Sequence, residues 1–282
     1  MKVSVIIPVY NGAKFIENAI DSVISQTNQN FEIIIIDDGS TDNTHKIVKG
    51  YGDKIKYFAQ ENQGQACAIN KGLEMSEGEY IAYLDSDDMY YPEKLEEQLN
   101  YFYNHPDVGL VYSDRHHVDS FAKIISLVQS RKLDHFLFLQ ENRLSRSSVM
   151  HKRKCLDEVG LFDACISGGD DWDMWIRIYE KYKFGYINRP LIKYRIHKNN
   201  ISKTRPNWRN YDRWIRMKII QKCYHRRGKP FGLKLMYLRA NFIWIIGKIP
   251  ILGKRGRYLW TGLEIIFNFL ERMFIKNIFN IK

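Results

Sequence analysis

Phe31-Glu32-Ile33-Ile34-Ile35-Ile36-Asp37-Asp38-Gly39-Ser40 carries four consecutive isoleucines that run into two carboxylates and a glycine turn. β-Branched side chains favour extended backbone. An apolar run without alternation suits a strand covered on both faces, as in a parallel sheet flanked by helices. The pattern predicts a strand over Phe31–Ile36, and the same texture recurs on either side of it. Val3–Val9, Ile55–Ala59, Tyr80–Leu84 and Val108–Tyr112 read as further strands. Between them Ala13–Thr27, Thr41–Gly50, Gln65–Met75 and Pro92–Asn104 have helical spacing. This βαβα order predicts an α/β fold built on a Rossmann-like, doubly wound and mostly parallel sheet. Beyond Ser113 the pattern is mixed. Phe121–Val128 and Ser147–Lys152 suit strands, Asp171–Lys181 suits a helix with aromatics on one face, and Phe184–Ile196 suits one or two strands interrupted by Pro190.

With 45% hydrophobic residues in 282, the chain can bury a sizeable core, which excludes a disordered protein. Cys67, Cys155, Cys165 and Cys223 are scattered without a CxxC pair, as expected of reduced thiols in a cytoplasmic protein. The first residues enter a strand directly, so no signal peptide is expected. The net charge of +11 is unevenly spread: residues 203–282 hold 19 Lys/Arg and 3 Asp/Glu, a net of +16. Residues 1–202 hold the remaining 24 and 29, a net of −5, so a composition boundary falls near Ser202–Pro206.

Six polar sites punctuate the strands and helices. Pro8-Val9-Tyr10-Asn11-Gly12 forms a turn whose Tyr10 either stacks on a planar base or packs as an ordinary turn residue. Asp37-Asp38-Gly39-Ser40-Thr41-Asp42 contains helix caps at Ser40 or Thr41. Its acidity exceeds what capping needs, which favours Asp38 as a reader of base or ribose. Glu61-Asn62-Gln63-Gly64-Gln65 opens a helix, a place suited to phosphate and equally to a plain loop. Asp85-Ser86-Asp87-Asp88 places three carboxylates at the end of an apolar strand, where they repel one another and lose hydration. Hard oxygen ligands there favour Mg²⁺ or Mn²⁺, with Asp85 and Asp87 aimed at a common ligand and Asp88 serving as a helix cap. Gly168-Gly169-Asp170-Asp171-Trp172-Asp173 suits a general base beside an aromatic, or a helix capped by Asp170 with its tryptophans in the core. Tyr194-Arg195-Ile196-His197 sets one Arg and one His after a strand, where they suit a diphosphate or its metal.

In this order the six sites resemble the family 2 glycosyltransferases of the nucleotide-sugar-dependent GT-A fold. The matching segments are VSVIIPVYNG, FEIIIIDDGSTDNT, ENQGQACAINKG, EGEYIAYLDSDDMYYPEKL, EVGLFD with GGDDWDMWIRI, and YRIHKNNIS, over residues 1 to about 202. The resemblance implies a GT-A catalytic domain over 1–202, with a nucleotide-sugar-binding half to about residue 112 and an acceptor-side half over 113–202. It implies that Pro8, Tyr10 and Asp38 line the nucleobase and ribose pocket, most often for uridine. Asp85 and Asp87 match the DXD motif, Asp87 being the direct metal contact, and the implied cofactor is Mn²⁺ or Mg²⁺. Asp171 matches the catalytic base, next to Asp170 where the family often has Glu, and His197 matches a histidine that closes over the diphosphate. Two departures stand out. Ile69 occupies a position where the family often has Arg, and no QxxRW-type motif or membrane channel segment is present. The second departure favours single-sugar transfer over polymerisation. By analogy with most relatives, the transfer inverts the anomeric configuration.

The basic segment 203–282 reads as helices over Trp208–Arg227, Phe231–Ile246 and Tyr258–Phe279, with Lys248 and Pro250 breaking the second. None holds the ~18 uninterrupted apolar residues of a membrane span. Their mixture of Trp, Phe and Ile with Lys and Arg favours peripheral attachment to an anionic leaflet over nucleic acid. Packing on the catalytic body or oligomerisation is the other reading. Attachment to the cytoplasmic face of the inner membrane would make a saccharide or lipid-linked saccharide the natural acceptor, in bacterial surface polysaccharide or glycoconjugate biosynthesis. Two competing functions are a scaffold on a degenerate fold and a nucleotidyltransferase. The carboxylates at 38, 85, 87 and 171 argue against the first. Against the second, Val9–Lys14 lacks a Gly-rich basic loop.

Overall fold

A computed structural model describes residues 1–131, 138, 142, 144–166, 168–198 and 200. One compact unit spans Met1–Leu133 and Arg143–Asn200, and the sites discussed below lie in it. A second, Asp134–Asn142 with Ile201–Lys282, falls almost wholly outside the described residues, as do the three helices expected over 203–282. Among the described residues no helix is long and apolar enough to cross a membrane.

The first half follows the apolar pattern closely. Strands β1 (Val3–Val9), β2 (Phe31–Asp37), β3 (Lys56–Ala59) and β4 (Tyr80–Tyr83) pair in parallel in the order β3-β2-β1-β4. Val3 lies opposite Phe31 and Val9 opposite Asp37, so both carboxylates of the second strand emerge level with the end of β1. Helices α1 (Ile16–Ile24), α2 (Thr44–Lys49), α3 (Gln65–Met75) and α4 (Lys94–Asn104) connect or follow these strands. α1 buries Ile16, Ala19, Ile20 and Val23, the face that helical periodicity assigns to a core. α3 rides close to the sheet at Gly72, where a Cβ would stand 2.6 Å from Ile6 Cγ2.

The second half is mixed rather than parallel. The sheet continues β4-β8-β6-β9-β5, with β7 also paired to β6. Here β5 is Met89–Tyr90, β6 Val108–Val118, β7 Ile124–Val128, β8 Met150–Lys152 and β9 Lys183–Arg195. Only β6 and β9 are parallel; β8, β7 and β5 join antiparallel. The β6–β7 connection is a short turn, which permits no parallel crossover. Asp119 Oδ1 holds that turn by accepting from the backbone N–H groups of Phe121 (2.9 Å) and Lys123 (3.0 Å). Pro190 does not divide β9, because the pairing with β6 shifts register between Ser113 and Arg115, with Pro190 opposite Asp114. Helices α5 (Lys154–Val159) and α6 (Asp170–Tyr179) complete the unit. The C-terminal end of β9 thereby returns to the end of β4, where the acidic cluster lies.

Candidate active site

Loops at the ends of β1 and β2 are locked together. Asn11, at a left-handed φ of 51°, accepts the backbone N–H of Thr41 on its Oδ1 at 2.7 Å. Its own N–H donates to Ser40 Oγ at 2.8 Å, and Gly12 N–H donates to Thr44 Oγ1 at 2.9 Å. Pro8 is buried within β1, whereas Tyr10 stands 53% exposed at its end. Asp37 is buried and accepts from Ser40 N–H and from the Tyr57 hydroxyl, each at 2.8 Å. Asp38, also buried, takes Gln60 Nε2 (2.8 Å) and Gln63 N–H (2.9 Å) on one oxygen and Gly64 N–H (2.8 Å) on the other. Its carboxylate therefore shapes the 60–64 loop that opens α3, a contact the sequence did not indicate. Gly64 sits at φ +91°, a conformation that favours glycine.

The three carboxylates after β4 have three different surroundings. Asp88 is 1% exposed and accepts from Arg195 N–H at 2.9 Å and from Ser147 Oγ at 2.6 Å. It is an internal brace and not the helix cap expected from sequence, since α4 begins at Lys94 after Glu93. Burial, with Asp87 and Asp85 nearby, raises its pKa well above the usual carboxylate range. Asp85 and Asp87 remain partly open, with side chains 26% and 28% exposed. Asp85 Oδ1 meets Gln65 Nε2 at 3.2 Å and Arg146 Nη1 at 3.4 Å. Lost hydration pushes the Asp85 pKa up to about 6 against the opposing pull of Arg146, with Asp87, Asp171 and Asp170 adding to the rise. Asp87 Oδ2 lies 2.8 Å from His197 Nε2 and 3.2 Å from Asn200 Nδ2. The cluster and the segment after β9 thus meet, as the order of motifs implied.

Arg195 corrects the reading of the sixth site. It is 1% exposed, and its guanidinium donates to the carbonyls of Asp87 (2.9 Å) and Ser120 (2.8 Å) and to Asn18 Oδ1 (3.2 Å). The group also stacks 4.4 Å from the Phe15 ring centroid. Each of these partners belongs to the protein itself and the side chain is buried, so Arg195 clamps the fold and does not reach toward a ligand.

α6 delivers the remaining acids. Trp172 and Trp175 are both buried, and Trp175 packs on Tyr83 (ring centroids 5.8 Å apart) and Phe162 (5.8 Å). Tyr83 lies two residues before Asp85, so this packing sets the helix N-terminus against the acidic cluster. Asp170 does not cap the helix. Gly169 precedes its first turn, and the buried Asp170 Oδ2 instead pairs with Arg146 Nη2 at 3.1 Å. Asp171, in that first turn, accepts Trp172 N–H on Oδ1 at 2.7 Å, and its charge acts on both Asp85 and Arg146. Arg146, 7% exposed in the 3-10 turn Arg146–Ser148, was missed from sequence, as was Ser147, which accepts Asp85 N–H at 3.1 Å. Their segment, Ser145-Arg146-Ser147-Ser148, carries no spacing that would have signalled them. Ile69 is fully buried in α3 and offers no basic contact.

Among the described residues no three His, Cys, Asp or Glu side chains are arranged to enclose a metal. Asp85 and Asp87 nevertheless offer two partly open carboxylates after β4, and His197, after β9, lies 2.8 Å from Asp87. Those donors fit Mn²⁺ or Mg²⁺ when a ligand's own oxygens complete the shell. The raised proton affinity of Asp85 marks a position that gains from a nearby cation.

Comparison with known proteins bears on the same features. The chain is 37% identical over 214 residues to an uncharacterized glycosyltransferase of Rickettsia typhi, covering 73% of this chain and 67% of that one. Its fold is similar to that of S. aureus TarS 1-349 in complex with UDP-GlcNAc, with a TM-score of 0.67 and 19% identity over 86% of this chain and 73% of that one. It covers 44% of a longer TarS chain. It is also similar to the mannosyltransferase PcManGT of Pyrobaculum calidifontis in complex with GDP-Man and Mn²⁺, with a TM-score of 0.59 and 20% identity over 99% and 88% of the two chains. At these identities the structural likeness speaks for the fold, which is the GT-A-type α/β fold expected above. The family model for glycosyl transferase family 2 matches residues 4–160, more than half of the sequence, and the chain belongs to that family.

Proposed function

We propose that the protein is an inverting glycosyltransferase that moves one sugar from a UDP-linked donor to a hydroxyl of a saccharide or lipid-linked saccharide. The observation that carries this reading is the meeting of Asp85 and Asp87 with the Asp170–Asp171 end of α6 at the carboxyl ends of the strands, where open α/β sheets bind ligands. Asp85 and Asp87 would hold a divalent cation, with His197 beside Asp87 to close over the diphosphate. When bound, the ion supplies charge neutralisation for the departing nucleoside diphosphate. Pro8, Tyr10 and Asp38 would form the wall against the nucleobase and ribose, Asp38 through its hold on the 60–64 loop.

Asp171 acts as general base in this reading. It takes the proton of the acceptor hydroxyl as that oxygen bonds to the anomeric carbon. The bond from that carbon to the diphosphate oxygen breaks, and the electron pair leaves with UDP. One displacement of this kind inverts the anomeric centre and needs no enzyme nucleophile. UDP-GlcNAc in the TarS complex and GDP-Man with Mn²⁺ in the PcManGT complex support a nucleotide-sugar donor. The basic segment 203–282 supports an acceptor presented at a membrane, in surface polysaccharide or glycoconjugate assembly.

A panel of UDP- and GDP-sugars assayed for nucleotide release, with Mn²⁺, Mg²⁺ or chelator, tests the reading. Release from a UDP-sugar that needs the metal is expected, with a loss of about a hundredfold or more in Asp87→Ala and in Asp171→Asn. Turnover of no donor, or release indifferent to both the chelator and Asp87→Ala, would overturn it.

A further inference from the structure

We propose that Arg146 is the positioning residue that fixes the distance between the donor-side carboxylate Asp85 and the α6 N-terminus that carries Asp171. This rests on the roles given to Asp85 and Asp171 above. The guanidinium is almost fully buried, and a buried cation persists only when its charge is met. It is met at both ends of one planar fork: Nη1 lies 3.4 Å from Asp85 Oδ1 and Nη2 lies 3.1 Å from Asp170 Oδ2. Such a fork has a fixed width and cannot follow one carboxylate without leaving the other. Arg146 Nε is buried and makes no hydrogen bond, so the guanidinium is held by those two contacts.

The turn that carries Arg146 is itself fastened to the acidic cluster. Ser147 accepts Asp85 N–H at 3.1 Å and donates to Asp88 at 2.6 Å. Among the described residues, the ion pairs of Asp85 and Asp170 are both with Arg146. α3 makes a neutral approach to Asp85. Gln65 touches the same oxygen at 3.2 Å, and Ile69, one helical turn further along the helix, is apolar. The cation beside Asp85 therefore comes from the acceptor-side half of the chain, and it joins the two halves of the cleft. A shift of α6 relative to β4 would break the fork at one end.

The test compares the wild-type protein with Arg146→Met, Arg146→Lys and Asp170→Asn. It measures UDP affinity in Mn²⁺ by calorimetry, donor KM and kcat separately, and thermal unfolding. Arg146→Met is expected to raise donor KM and to lower kcat by about a hundredfold, the scale of a misplacement near 1 Å. Asp170→Asn, which frees only the α6 end, is expected to lower kcat while leaving donor KM and UDP affinity unchanged. Arg146→Lys keeps the charge but reaches one carboxylate at a time, and is expected to recover donor KM and not kcat. A merely structural role would lower the active fraction in step with stability and leave every KM unchanged. Wild-type KM and kcat in Arg146→Met, or wild-type kcat in Arg146→Lys, would overturn the proposal. Should Arg146→Met fail to fold, Arg146→Lys decides alone. If the wild-type protein neither binds UDP nor turns over any donor, it is the proposed function that fails.

Discussion

His151 shows how much one buried side chain can reveal. It is fully buried on β8 between β4 and β6, 2.7 Å from the Tyr83 hydroxyl through Nε2 and 2.9 Å from the Lys152 carbonyl through Nδ1. A neutral imidazole satisfies both contacts, donating from Nδ1 and accepting at Nε2. Burial pushes its pKa down to about 4. The unfolded chain takes up this proton near pH 6.5, and the folded protein does so only near 4. Between those values the unfolded state binds more protons, so stability is full above about 6.5 and falls as pH drops toward 4, by about 3 kcal/mol in all. Thermal unfolding of the wild-type protein and His151→Gln between pH 4 and 7 should show a steeper acid decline in the wild type. Parallel curves would remove His151 as the cause. The positions that the sequence pattern itself singled out stand at element ends: Asp85 and Asp87 after β4, Asp171 in the first turn of α6 and His197 after β9. Arg146, Asp88 and Arg195 were misread or missed because their partners lie far along the chain. Arg146 is 61 positions from Asp85, and the Arg195 amide is 107 positions from Asp88.

Elements of the first half were legible because each buries a continuous or periodic apolar face, as α3 and β1 do. In the second half, two-residue β5 and bulged β9 take their form from partners and leave little local signal. Close approach of elements is equally hidden. Gly72 of α3 has Ile6 Cγ2 at 2.6 Å from where a Cβ would stand, and Ile6 is fully buried in β1 between β2 and β4. Alanine there gains about 1 kcal/mol in helix propensity. Overpacking a rigid, β-branched contact costs about 1–3 kcal/mol, so Gly72→Ala should be net destabilising. α3 would have to lift, carrying Gln65 away from Asp85, so donor KM should rise as well. Urea unfolding at fixed pH measures the first effect and initial-rate kinetics the second. A variant at least as stable as the wild type would mean that β1 yields at this point.

At the scale of the whole molecule, charge is divided sharply along the sequence. Residues 1–202 carry a net of −5 and residues 203–282 a net of +16. An anionic leaflet repels the first and attracts the second, and each basic residue near such a surface contributes about 1 kcal/mol within a Debye length. Six tryptophans serve the whole chain, and four of them, Trp208, Trp214, Trp244 and Trp260, fall in the basic segment. Aromatics of this kind suit the headgroup level of a bilayer. The 282-residue chain should therefore sediment with vesicles containing phosphatidylglycerol at low salt and much less with pure phosphatidylcholine. About 0.5 M salt should release a large part of it, because screening removes the electrostatic share and leaves the apolar one. Equal partition to both vesicles would assign the attraction to apolar contact alone. No sedimentation with either would instead favour a basic segment that packs on the catalytic body or on a second copy, and a membrane-presented acceptor would lose its physical basis.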